Sequence, residues 1–173
     1  ENFKKLVWGR NRDEVSVNEE ALSQICNSLN AGQGVLFKKK AIEGQDSFSL
    51  FASYAFVGKS DSLLTFKLGE GLVGVVAKEN KPLMIDNVPE GYITIFSGLG
   101  KATPGYLAVL PVTNVDNQVV GVLELAFFRE LRDGEKAFLM NCVKMLGGDV
   151  DIVMESSHVD KDDSRVTDNE IVG

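Results

Sequence analysis

The stretch GEGLVGVVAKENKPLMIDNVPEGYITIFSGLGKATPGYLAVLP, Gly69–Pro111, decides how the rest of the chain is interpreted. It is rich in glycine and contains all four prolines of the chain. A compact domain seldom holds so long a segment without extended regular structure unless that segment has a function. We therefore interpret the surrounding strand and helix patterns as a scaffold, and this stretch as the lid and wall of a pocket on it.

The patterns around this stretch predict an α+β domain, an antiparallel sheet with helices on both faces. Two hairpins are predicted, because paired strand patterns are separated by short polar turns. Ser16 or Asn18 can cap the second helix and Asp133 the last one, since their side chains accept hydrogen bonds from free backbone N–H groups. In chain order, the predicted elements are helix 1–14, a second helix stopped by 30–32, strands 34–40, 47–57 and 63–68, helix 72–79, strand 82–86, a long irregular segment, strands 106–114 and 118–128, and helix 133–154.

The length and composition indicate one domain, residues 1–154, followed by an acidic and flexible tail or linker, residues 155–173. Hydrophobic residues make up 44% of the chain, enough for a packed core. The net charge of −7 and the single basic run, Lys38–Lys40, argue against a nucleic-acid partner. No apolar run is long enough to insert into a membrane, and we expect no signal peptide, because a basic start followed by an apolar run is not found. We expect a cytoplasmic protein, or the cytosolic part of a membrane-anchored receptor, and the start at Glu1 is consistent with an excised fragment.

Residues that usually carry enzyme chemistry are few. The single histidine, His158, lies in the tail without a triad-like partner. Cys26 and Cys142 fall in helical patterns among apolar residues, which is typical of free thiols in a reducing compartment. No metal-ligand spacing is present. We therefore predict no catalytic residues and no metal site, and we rank an enzyme last among the possible functions.

The start of the opening stretch, Gly69–Val76, matches the GxGxxG pattern of dinucleotide-binding folds and the GxGxxGxV pattern of kinases. The helix that follows has only about two turns, which is short for a crossover between parallel strands. The VAIK, HRD and DFG motifs of kinases are missing. We interpret the glycines instead as residues that allow a tight turn from strand to helix.

Glu124 lies in a strand predicted to be central, on the face opposite Leu123 and Leu125. A buried carboxylate needs hydrogen-bond donors, and the backbone N–H groups of 97–100 are candidates. Two interpretations stay open: Glu124 pins the loop, or it also contacts a ligand. An apolar cavity with few polar contacts is typical of a small-molecule site. The residues predicted to bind such a ligand are Tyr54, Tyr92, Ile95, Ser97, Thr103, Tyr106 and Glu124.

The last helix carries a broader apolar face than one contact needs. A second row, Phe138, Met145 and Ile152, follows at seven-residue steps, and Gly147 and Gly148 interrupt the helix at about 1 kcal/mol each. One row can cover the sheet while another meets a partner helix, which predicts a homodimer through the terminal helices. The residues predicted for this dimer and signal helix are Leu139, Val143, Leu146, Val150 and Val153.

Five motifs, in this order, resemble a GAF domain over about residues 1–154. The resemblance is closest to GAF domains that precede histidine-kinase or chemoreceptor-type output modules in bacteria. It implies a twisted antiparallel sheet with a sensory pocket on one face, and terminal helices on the other that commonly form a parallel dimer and carry the signal onward. The motifs are Leu68–Gly74, Ile85–Tyr92, Ser97–Pro104, Val109–Val112 and Gly121–Ala126.

This sequence departs from the motifs of several known GAF subfamilies, and these departures reduce the number of cofactors that the resemblance implies. Cyclic-nucleotide-binding members resemble an NKFDE pattern, but Ala126-Phe127 stands where its Asn-Lys is expected. Bilin-binding members need an attachment cysteine and a pocket histidine, and GAF-type methionine sulfoxide reductases need cysteines around the pocket. We therefore expect neither of these cofactors and no reductase activity. The resemblance predicts a non-catalytic module that senses an unknown small molecule, or alternatively a ligand-free dimerisation and signal-relay domain.

Overall fold

The structure, a computed structural model, describes residues 14–57, 64–92, 95–97 and 100–148. The predicted helix 1–14 and the tail lie outside the described residues. The helices are α1 (Glu14–Leu29), α2 (Gly71–Glu79) and α3 (Asp133–Leu146). The strands are β1 (Gln33–Ile42), β2 (Gln45–Tyr54), β3 (Thr65–Lys67), β4 (Leu83–Ile85), β5 (Ile95–Ser97), β6 (Gly100–Ala102), β7 (Tyr106–Thr113) and β8 (Val119–Phe127). Within these ranges no helix has the length and apolar character needed to cross a membrane.

Six strands form one antiparallel sheet in the order β3-β2-β1-β8-β7-β4. Both predicted hairpins are present, β1 with β2 and β7 with β8. The strand β8 lies in the interior of the sheet between β1 and β7, as its pattern predicts. Helices cover both faces of the sheet, so the predicted α+β fold is confirmed.

Strand alternation gives the sheet two different faces. We call the side of Leu123 and Leu125 the two-helix face, because α1 and α3 pack on it. We call the side of Val122 and Glu124 the glutamate face, on which α2 packs. The prediction that Glu124 lies opposite Leu123 and Leu125 is therefore confirmed. Each face buries its own apolar cluster, and β8 belongs to both.

Two predictions about chain segments are wrong. Ser16 and Asn18 do not cap a helix but lie inside α1, where the Asn18 side-chain amide donates to the Glu14 carbonyl at 2.8 Å. The segment predicted to be irregular contains the strands β5 and β6, which pair with each other as a separate ribbon. Strands of three residues are too short for a period-two pattern to reveal them.

The helix α3 differs from the prediction at its start. Asp133 is its first residue and not its cap. The Glu135 side chain reaches back to accept a hydrogen bond from the Arg132 backbone N–H at 2.8 Å, which is one half of a capping box. The helix ends just before Gly147, where a Cβ atom would overlap the Thr113 carbonyl oxygen. Glycine there lets the end of α3 pack directly on the backbone of β7.

Candidate functional site

The candidate site is built around Glu124 at the middle of the sheet. Its neighbours across the sheet are Val35 on β1 and Val109 on β7, both fully buried and apolar. Only 9% of Glu124 is exposed. Burial in these apolar surroundings disfavours the charged carboxylate and raises the pKa of Glu124 to about 7. The domain therefore keeps a carboxylate that titrates near neutral pH inside its core.

Tyr92 supplies the hydrogen-bond partner of Glu124. Its hydroxyl donates to Glu124 Oε2 over 3.5 Å, which is long for an O–H···O bond. The backbone N–H of Tyr92 donates to the Pro89 carbonyl at 3.1 Å, and Gly91 takes a φ of +82°, so a tight turn holds the ring. Burial and the neighbouring carboxylate both raise the pKa of Tyr92, so its phenol stays protonated. Tyr92 itself is 42% exposed and lies between Glu124 and solvent.

The glycines of the opening stretch form a structural turn beside this face, as interpreted from the sequence. The backbone of Gly69 donates to the Gly74 carbonyl at 2.8 Å, and Gly69 and Gly71 both take positive φ. A Cβ at Gly74 would overlap the Lys67 carbonyl oxygen. The Glu70 carboxylate accepts the Lys67 backbone N–H at 2.8 Å and fixes the same turn. These glycines therefore let α2 start directly against the end of β3.

Two of the tyrosines predicted for the site lie on the two-helix face instead. The Tyr54 hydroxyl donates to Asn27 Oδ1 of α1 at 3.0 Å. Tyr106 is buried with Phe127, with their ring centroids 6.2 Å apart, in the cluster that α1 and α3 cover. The structure therefore brings Tyr92 to Glu124 and places Tyr54 and Tyr106 on the other side of the sheet.

Alternation in β7 and a β-bulge in β2 explain why these tyrosines lie on the two-helix face. Tyr106 is three residues from Val109, which pairs with Glu124, so strand alternation alone places it on the other side of the sheet. In β2, Leu50 packs on the glutamate face and Tyr54 on the two-helix face, although an even number of residues separates them. The β1–β2 register shifts by one residue between them, and this bulge moves Tyr54 to the other face.

The remaining predicted site residues are placed only in part. Thr103 is exposed. The backbones of Ile95 and Ser97 form β5, and their side chains lie outside the described part of the chain. The 97–100 segment, proposed as the source of N–H donors for Glu124, also includes two residues outside that part. The donor that the structure does show, Tyr92, was predicted for the site but not as the partner of Glu124.

Both cysteines lie on the two-helix face, away from Glu124. They are free and buried, Cys26 in α1 and Cys142 in α3. Burial raises the pKa of the Cys26 thiol to about 12 and that of the Cys142 thiol to about 11. Since the thiolate is the reactive form of cysteine, both groups are held in their unreactive state at neutral pH. Within the described ranges, no three His, Cys, Asp or Glu side chains are grouped as metal ligands would be.

A cavity of about 180 Å³ lies on the two-helix face, between the start of α1 and the end of α3. Phe51 and Leu146 form part of its apolar wall. Lys38 also lines it, with Nζ 2.6 Å from Glu14 Oε1 and 4.6 Å from the centroid of the Phe51 ring. This cavity is therefore distinct from the pocket predicted beneath the opening stretch.

The residues predicted for a dimer on α3 are divided by the structure. Leu139 and Val143 are buried in the core of this chain, where β7 and α1 already cover them. Leu146 is half-buried at the edge of the same cluster. Val150 and Val153 lie outside the described residues. The second row of the helix differs, because Phe138 is 42% exposed.

Comparison with known proteins supports the fold directly. A family model for the GAF domain matches residues 11–141. A search of curated proteins found no match. The GAF domain of A. aeolicus nlh2 in an inactive state is 20% identical, with a TM-score of 0.62 over 90% of this chain and 93% of that chain. The GAF domain of an Acinetobacter phosphoenolpyruvate-protein phosphotransferase is 16% identical, with a TM-score of 0.66 over 93% of each chain.

The same fold also occurs in an enzyme. A type II free methionine-R-sulfoxide reductase from Thermoplasma acidophilum is 14% identical, with a TM-score of 0.57 over 76% of this chain and 88% of that chain. At such identities, similarity to solved structures shows the shared fold alone. The family model, which spans most of the chain, shows membership. This chain belongs to the GAF domain family, a fold of signalling and ligand binding.

Proposed function

We propose that this GAF domain is a non-catalytic sensory module that binds a small molecule on the glutamate face. The observation that carries the proposal is Glu124, a carboxylate kept in the core, to which the described residues supply one long hydrogen bond. Holding it ionised costs about 3 kcal/mol, at about 1.4 kcal/mol for each pH unit between its ordinary pKa and about 7. An apolar residue would avoid that cost, so a role in binding explains why a carboxylate occupies the position.

The strand β8 offers a route for relaying the occupied state. Glu124 faces the site, while Leu123 and Leu125 on the same strand pack beneath α1 and α3. A ligand that prefers one placement of Glu124 would bias the packing of these two helices. Relay from the site to the terminal helices therefore requires no separate element.

The proposed setting is a cytoplasmic signalling protein of bacteria, with an output module such as a histidine kinase elsewhere in the parent chain. The resemblance to such GAF domains supports this setting. Among the structural neighbours, a GAF domain from a phosphoenolpyruvate-protein phosphotransferase is likewise named as one part of a larger enzyme. Under this proposal, the GAF domain regulates an activity that it does not itself carry.

A homodimer through α3 is the second part of the proposal, and by itself it is the alternative function. Phe138 favours it, because a large apolar side chain that is 42% exposed on a helix is a candidate contact for a partner. Leu139 and Val143 would then act as the inner row that transmits the state of the core. The Phe138→Glu variant should sediment as a monomer if this surface forms a dimer, and Phe138→Leu should keep the wild-type state. Equal sedimentation of wild type and Phe138→Glu would contradict the dimer.

The site can be tested by thermal shift with a panel of free amino acids, primary amines, nucleobases, short carboxylic acids, benzamidine and benzamide. We expect at least one class to raise the melting temperature of the wild type. Tyr92→Phe should reduce that shift, and Tyr54→Phe is the matched control, because it removes a hydroxyl on the two-helix face. A panel without any effect, or a shift lost only in Tyr54→Phe, would contradict the proposed site.

A further inference from the structure

We infer that the glutamate face takes a small organic cation, with an amidinium, guanidinium or ammonium group placed against Glu124 and an apolar body beside it. This inference rests on the proposed function and names its class of ligand. It follows from what the carboxylate lacks and from what surrounds it. An ionised carboxylate only accepts hydrogen bonds, and it has about four lone-pair positions for them.

The hydrogen bonds that the described residues make to Glu124 leave most of these positions open. Tyr92 is the donor among those residues, and it reaches Oε2 over 3.5 Å. None of the ion pairs in the described part of the chain includes Glu124. With one long bond from the described residues, this buried carboxylate is under-supplied with donors, and buried charges are normally paired. A ligand that brings both N–H donors and a positive charge corrects both deficits together.

The apolar side chains around Glu124 define the rest of the ligand. Val35 and Val109 flank Glu124 on the neighbouring strands. Leu107 and Ala126 extend the apolar surface on the same face, where the half-buried Leu72 of α2 packs against them. These side chains offer contact to an apolar body and no donor or acceptor to a polar one. An anionic ligand would bring a second negative charge into this setting, which strongly disfavours it.

Three probes of the same size separate charge from shape: benzamidine, benzamide and benzoate. Their affinities are measured by calorimetry at pH 8, where Glu124 is ionised. We expect benzamidine to bind about tenfold or more tightly than benzamide, because a hydrogen bond to a charged partner exceeds a neutral one by that margin. Benzoate should bind most weakly. Glu124→Gln should abolish the preference for benzamidine, whereas Tyr54→Phe should retain it.

The other outcomes are equally decisive. The inference of a cationic ligand is contradicted if benzoate or benzamide binds at least as tightly as benzamidine, or if Glu124→Gln leaves the preference unchanged. If benzamidine does not bind while a neutral or anionic probe binds and depends on Tyr92, the ligand is not a cation but the proposed sensory site is supported. Should a primary amine bind in place of benzamidine and lose affinity in Glu124→Gln, the ligand class stands. If no probe of any charge binds, both the cation and the sensory site are contradicted.

Discussion

The two faces of the sheet are built to different rules. The two-helix face is apolar across β7 and β8 and is covered by two long helices. The glutamate face has a shorter cover, the nine-residue α2, and holds Glu124 in its middle. Among the described residues, Glu124 is the one Asp or Glu side chain that is buried. The two-helix face therefore has an apolar centre, whereas the glutamate face holds a carboxylate among its buried apolar side chains.

This division also separates the tyrosines. Tyr92, on the glutamate face, bonds to the carboxylate, while Tyr54 and Tyr106 bond and pack on the two-helix face. Residue type alone therefore does not identify the tyrosine that contacts Glu124. The face on which each tyrosine lies does, and the following predictions test that difference between the faces.

The largest effect should come from opening the two-helix face. Leu123 is fully buried between the helices and the sheet. Truncation to alanine leaves a cavity in a packed core, so Leu123→Ala should lower the free energy of unfolding by about 2–5 kcal/mol. Urea denaturation measures this loss. A loss near zero would show that this face is not the stabilising one.

On the glutamate face, a substitution of Glu124 should raise the free energy of unfolding at pH 8 and not lower it. Well below pH 4.5 the Glu124 carboxyl is neutral in both the folded and the unfolded chain. Between about pH 4.5 and 7, the carboxyl of the unfolded chain ionises first, so the free energy of unfolding falls as pH rises, and above 7 the full cost is present. Glu124→Gln should therefore be more stable than wild type at pH 8, by up to about 3 kcal/mol.

The matched measurement for this variant is urea denaturation from pH 4.5 to 8. The stability advantage of Glu124→Gln should shrink steadily toward the acid end, where only a small part of it remains. A difference that stays constant across this range would mean that burial does not raise the pKa of Glu124.

A smaller loss of stability is expected for a substitution of Gly74, where α2 meets β3. Alanine normally stabilises a helix interior by about 1 kcal/mol relative to glycine. At Gly74, however, the added Cβ would overlap the Lys67 carbonyl, so Gly74→Ala should lose about 1–3 kcal/mol. Gly134→Ala in α3 is the control, because open space surrounds that position and no loss is expected. Equal stability of the two variants, by thermal melting, would contradict the close contact.

The smallest expected effect on stability is that of Tyr92→Phe, which is compared with Tyr54→Phe through the pKa of Glu124. The Tyr92 hydrogen bond lowers the pKa of Glu124 from the value that burial alone would give. Tyr92→Phe should therefore raise the pKa of Glu124 further, with a stability change of at most about 1 kcal/mol. Carbon-detected NMR titration of the Glu124 carboxyl measures this shift. Tyr54→Phe should leave the titration unchanged, and a shift in that control would mean that the faces are coupled.

Much of the fold could be predicted because its signals are local. The hairpins β1–β2 and β7–β8, the stop of α1 near Asn30 and the turn before α2 all follow from turn residues and strand patterns. The start of α3 could not be predicted well, since Glu135 and not Asp133 makes the capping bond. The strands β5 and β6 were missed because three residues carry too little alternation to be recognised.

The sequence alone determined the GAF fold and the side of β8 on which Glu124 lies, because alternation within one strand is a fixed geometric rule. Only the tertiary structure decided which side chain meets Glu124. The relation between two strands depends on their register, and a bulge after Leu36 shifts the β1–β2 register by one residue. No local pattern marks this bulge, which moves Tyr54 to the two-helix face. Tyr106 lies there because Val109, three residues away, pairs with Glu124, and that pairing is a property of the assembled sheet. Among the described residues, Tyr92 remains as the hydrogen-bond partner of the carboxylate.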